Sequence, residues 1–63
     1  MSANFLLLVE ALQNKGLSEN HSLALANQTD SAYTEYANKE EIEIIAKEII
    51  ENEKALAEAL SDE

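Results

Sequence analysis

This chain of 63 residues has no cysteine, proline or tryptophan, and its 13 acidic residues outnumber its 4 basic ones, all lysines, for a net charge of −9. Disulfides and thiolate zinc are thereby excluded, and the scarcity of Lys and Arg argues against neutralising nucleic-acid phosphates or an anionic membrane surface. A domain this small buries only about 60% of the surface its unfolded chain exposes, so association with a second copy or another protein is expected to complete it.

Ser2 is placed to cap a first helix over Ala3 to Asn14. Lys15 suits the end of that helix, Gly16 suits a left-handed terminating position, and Leu17 suits the apolar contact that follows. At about 100° per residue Phe5, Leu8, Val9 and Leu12 share one face, while Leu6 and Leu7 point elsewhere. A helix apolar around most of its circumference is normally covered on more than one side, and that is the main reason to expect a homodimer. The apolar run is short, lacks a preceding positive charge and is followed by Glu10, so neither a signal peptide nor a membrane span is predicted. Ser at position 2 removes the myristoylation signal. The chain is read as cytoplasmic, and the sequons at Asn20 and Asn27 as chance matches.

Ser18 is predicted to open a second helix, Glu19 to Asn27, with weak amphipathicity from Leu23, Ala24, Leu25 and Ala26. The polar run Asn27 to Ser31 is a turn, and Asp30 or Ser31 caps a further segment, "AYTEYA". Asn38 with Glu41 resembles an N-cap and N3 pair, which predicts a break or kink near Ala37 and Asn38, the alternative being an uninterrupted helix from Ala32 onward.

A long helix is predicted from Lys39 to about Ser61, with the tail Ser61-Asp62-Glu63 frayed. With Ile42 at zero on a helical wheel, Ile45, Ala46, Ile49, Leu56, Ala57 and Leu60 fall within about 60° of it. Ile44 lies about 200° away; it is expected to pack under the Tyr33 segment, to enter an intermolecular contact, or to stand as a solitary exposed isoleucine. Glu53 falls inside the apolar stripe, which suggests a basic group opposite it or an escape to solvent past Ala57. Asn52 takes a d-type position if Ile45, Ile49, Leu56 and Ala59 form a heptad seam. No internal repeat is visible. The fold class is all-α: one domain over residues 1–63, a bundle of three to four helices with a long last helix, completed by dimerisation.

No chemistry-bearing constellation stands out. Glu48 and Glu51 share a helix face, but carboxylate-bridged metal sites also require Glu-x-x-His pairs, which are absent. Glu43–Lys47 and Glu51–Lys54 are expected to pair along a solvated face. His21 lacks nucleophile and acid partners in sequence, and a single glycine excludes a phosphate-binding loop. No enzyme activity, cofactor or metal is therefore assigned.

The stretch "LSENHSLALANQTDSAYTEYA" is similar to a helix-turn-helix over about a third of the chain, and the resemblance implies DNA binding or transcription regulation. It departs from that pattern in having no Lys or Arg between Gly16 and Asn38, where Glu19, Asp30 and Glu35 stand instead. The leading reading is a small acidic interaction protein, an inhibitor, adaptor or assembly factor of the kind found in phages and plasmids. Its partner-binding residues are Glu40, Glu43, Glu48, Glu51, Glu58, Ile44, Tyr33 and Tyr36. Phe5, Leu8, Leu12, Ile42, Ile45, Ile49, Leu56 and Leu60 form its core or dimer contact. The expected partner is a protein with a basic surface, not nucleic acid and not a membrane.

Overall fold

A computed structural model describes residues 3–61. Four helices follow in order: α1, Ala3–Asn14; α2, Glu19–Gln28; α3, Ser31–Thr34; and α4, Lys39–Ser61. No strand occurs among the described residues. The all-α class and the long last helix are as the sequence predicts. Ser2 as a cap, and the tail beyond Ser61, lie outside the described residues. Ser61 itself is helical, with its hydroxyl donating to the Glu58 carbonyl at 2.9 Å.

Each boundary has a local cause. Gly16 has φ +104°. Its N–H donates to Gln13 O at 2.9 Å and the Leu17 N–H to Leu12 O at 3.3 Å, the paired bonds of a Schellman motif. Leu17 then packs against the core. Ser18 Oγ accepts from the His21 N–H at 3.1 Å and starts α2. Asp30 caps α3 by accepting from Ala32 N–H at 2.9 Å. Asn38 and Glu41 form a reciprocal capping box: Asn38 Oδ1 accepts from Glu41 N–H at 2.8 Å, and Glu41 Oε1 accepts from Asn38 N–H at 3.1 Å.

That box also explains why α3 is shorter than "AYTEYA" predicts. In a continuous helix the Asn38 N–H would close onto the Thr34 carbonyl. Here Glu41 takes the N–H, and the side-chain amide of Asn4 takes the carbonyl. Asn4 Nδ2 also donates to the carbonyls of Glu35 and Ala37, each at 3.1 Å. One side chain on α1 thus reaches three carbonyls at the end of α3, of which that of Thr34 also accepts from the Ala37 N–H at 3.2 Å, and pins the turn before α4 to a helix thirty or more residues away.

α1 is the hub, packed by α2, α3 and α4. Leu8, Val9, Ala11 and Leu12 on α1 meet Ala26 on α2 and Ile42 and Ala46 on α4 in the core, with Phe5, Ile45 and Ile49 half-buried around them. The covering of α1, which the sequence assigns to a second copy, is largely supplied within one chain; Leu6 remains exposed. A shift of 20 residues carries the burial pattern of α2 onto the start of α4: Ser22 and Ile42 are buried, as are Ala26 and Ala46, and Leu25 and Ile45 are half-buried. The two helices therefore address α1 through equivalent faces, although their residues are unlike enough that no sequence repeat shows.

The last turns of α4 leave the bundle. At about 1.5 Å per residue its 23 residues span about 34 Å, most of the molecule's 39 Å long axis. Every described residue from Lys54 onward is exposed. Leu56 and Leu60, expected in the core or a dimer contact, are 61% and 63% exposed and do not join the core of the single chain. Their helical phase is right, but α1 and α2 do not extend far enough along α4 to cover them.

Candidate protein-interaction site

α2 and α4 both rest on α1 but stand apart from each other along a trough. One depression of about 300 Å³ has Leu25, Gln28 and Thr29 on the α2 side, with Ile49, Asn52, Glu53 and Leu56 on α4. A second, of about 310 Å³, is formed by Thr29 and Tyr33 against Ile45, Glu48, Ile49 and Asn52. They share Thr29, Ile49 and Asn52, so they adjoin one another along α4. At the far end of the trough His21 Nε2 and Glu53 Oε2 lie 2.8 Å apart and bridge the N-terminus of α2 to α4. The basic group expected opposite Glu53 is thus on the same chain. Thr29 donates its hydroxyl to Leu25 O at 2.9 Å.

The outer face of α4 carries the carboxylates. Glu40, Glu48, Glu51 and Glu58 are exposed, whereas Glu43 is half-buried and lies 3.9 Å from Lys15 on the other side of the α1–α4 contact. The expected Glu43–Lys47 and Glu51–Lys54 pairs do not form. Among the described residues Lys15–Glu43 is an ion pair and His21–Glu53 a hydrogen-bonded pair, both between elements. A pair that joins two elements competes well here, because α4 sits close to Lys15 and exposed pairs within a helix contribute only a few tenths of a kcal/mol.

Ile44 is 57% exposed and does not pack under Tyr33. The break at residues 35–38 takes α3 out of helical register with α4, so Tyr33 faces Ile45 and Ile49 across the trough. Ile44 instead lies in the row of outward acids. Tyr33 and Tyr36 are 72% and 90% exposed. The structure thus divides the expected partner-binding residues: Tyr33 and Glu48 line the trough, Glu40, Ile44, Glu51, Glu58 and Tyr36 are exposed outside it, and Glu43 stands by Lys15. Leu25, Gln28 and Thr29 complete the trough and were not singled out from sequence; the weak amphipathicity of α2 gives little signal for them.

A wider depression of about 500 Å³ lies where α1, α2 and α3 meet, floored by Phe5, Leu8 and Ala26. No helix among the described residues is long and apolar enough to cross a membrane, and no three His, Cys, Asp or Glu side chains converge there in a metal-binding group. Compared with protein families, curated proteins and solved structures, the chain matches none.

Proposed function

We propose that this protein is a small acidic interaction module, not an enzyme, that occupies a basic surface of a partner protein through α4. The observation that carries the reading is the free end of α4, where Leu56 and Leu60 remain mostly exposed near Glu51, Glu53 and Glu58, with Lys54 among them. Large apolar side chains grouped on a projecting helix mark a contact surface, and the excess of negative charge along α4 selects the partner and speeds its arrival. The reading keeps the cytoplasmic location expected from sequence. Self-association would use the same Leu56 and Leu60 ridge, but two copies of net charge −9 repel, so a basic protein is the better-supported occupant. A DNA-binding reading fits less well: α3 is a single turn, too short for a recognition helix, and no Lys or Arg lies between Gly16 and Asn38.

The test is affinity capture from the native host with three baits: the unaltered chain, Glu48→Lys/Glu51→Lys, and Leu56→Ser/Leu60→Ser. A basic protein retained by the first bait and depleted from both variants, with binding of the purified pair falling as salt rises, supports the proposal. Equal retention by all three baits refutes it.

A further inference from the structure

We propose that the trough between α2 and α4 seats a basic amphipathic helix of the partner; this rests on the interaction-module reading and names the chemistry of what binds. The shape comes first. The two depressions share Thr29, Ile49 and Asn52, so they lie next to each other along α4. From Ile45 to Leu56 the trough follows α4 for about 16 Å, the length of three turns of helix. Its apolar lining comes from Leu25, Tyr33, Ile45, Ile49 and Leu56. Such a lining matches apolar residues recurring at i, i+3 or i+4, and i+7 on an incoming helix, the usual pattern of helix-in-groove recognition.

The charge commits the occupant. Glu48 lines the Tyr33 end and Glu53 the Leu56 end, and no lysine lines either depression. The two carboxylates are five residues apart, about 7.5 Å along the helix axis. An incoming helix therefore places two Lys or Arg residues about five positions apart beside its apolar seam. At the Glu53 end its cation meets a carboxylate whose Oε2 is already engaged by His21, so binding reorganises the His21–Glu53 bridge. A second copy of this chain is a poor occupant, because its own long helix brings Glu48 and Glu53 against the same two carboxylates.

The experiment uses the full chain, isotopically labelled, and a synthetic 14-residue helical peptide with leucines at i, i+4, i+7 and i+11 and two lysines five positions apart beside that seam. Two controls accompany it: a scrambled peptide of identical composition, and one with glutamates in place of the lysines. The expected result is movement of the amide signals of Leu25, Tyr33, Ile49, Asn52 and Leu56. The ring signal of His21, the only histidine, should move with them. Affinity should fall about tenfold or more with the scrambled peptide, with Leu56→Ser and with Tyr33→Ser, since well-packed apolar anchors carry most of such an interface. The substituted side chains are both mostly exposed, so the fold should persist. Equal binding of the scrambled peptide overturns the proposal, because the attraction is then charge alone. Signals moving instead around Ile44, Glu51 and Glu58 overturn the trough while leaving the interaction-module reading intact. A sedimenting dimer whose trough signals change on dilution shows that the occupant is a second copy, which overturns the basic helix.

Discussion

Ser22→Ala is predicted to stabilise the protein. Ser22 is fully buried on α2, and its Oγ has no hydrogen-bond partner. Its backbone is satisfied, with the N–H donating to Ser18 O at 2.9 Å, so the orphan is the hydroxyl alone. An unpaired buried hydroxyl costs about 1–3 kcal/mol, and Ala exceeds Ser in helix propensity by a few tenths of a kcal/mol. The oxygen is small, so its removal leaves little void. A net gain of about 1–3 kcal/mol corresponds to about 4–8 °C in Tm for each kcal/mol in a chain of this size. Thermal and urea melts followed by circular dichroism at 222 nm read the change, with an unaltered urea slope confirming that the compactness of the two states is the same. Ser22→Val should have the opposite sign, because the added bulk must enter a closed α1–α2 contact at a cost of about 1–3 kcal/mol. A Ser22→Ala variant that melts at or below the parent temperature refutes the reasoning. It would mean that the hydroxyl is satisfied, for instance by sharing the Ser18 carbonyl.

Three further outcomes follow from named contacts. Asn4→Ala should cost about 1–2 kcal/mol in urea melts, because the carbonyls of Thr34, Glu35 and Ala37 lose their common donor; Asn4→Asp should cost at least as much, since a carboxylate would face those same oxygens. Gly16→Ala meets nothing within 4 Å of its new Cβ, so its cost should be the backbone term of a positive φ alone, about 1–2 kcal/mol, again read from denaturant melts. Truncation after Ala57 should leave stability within about 0.5 kcal/mol, whereas Leu12→Ala should cost about 2–5 kcal/mol, because Leu12 is fully buried and every described residue beyond Ala57 is exposed.

The helices were legible because their ends are written locally. A capping box needs only Asn38 and Glu41 three residues apart, and a Schellman termination needs only Gly16 after a helical run, so both could be placed from the sequence with no knowledge of the fold. What depends on long-range approach was not legible. Asn4 looks like a stray polar residue in an apolar helix until the turn at residues 34–37 arrives beside it. Ser22 reads as a surface serine of a weakly amphipathic helix, yet it occupies the position that Ile42 takes on α4. Side-chain chemistry hid that equivalence, and with it the existence of the trough. Periodicity fixed the direction of Leu56 and Leu60 correctly. It carries no information about how far along α4 the neighbouring helices reach, and that length is what separates a core residue from an exposed one.

The two halves of α4 are held in different ways. Ile42 and Ala46 are buried against α1, so burial fixes the first half. Beyond Glu53 there is no comparable burial, and helical conformation there depends on propensity and on continuity with a segment already nucleated. Glu, Lys, Ala and Leu dominate residues 53 to 60, all strong helix formers. The sequence thus keeps the projecting turns helical without a partner while leaving Leu56 and Leu60 uncovered. A partner that docks there meets a surface already in helical form, so little backbone entropy is lost on binding and more of the contact energy appears as affinity. The His21–Glu53 bridge lies at the junction of the two halves. It ties α2 to the last partly covered position of α4 and sets where the anchored helix ends and the free one begins.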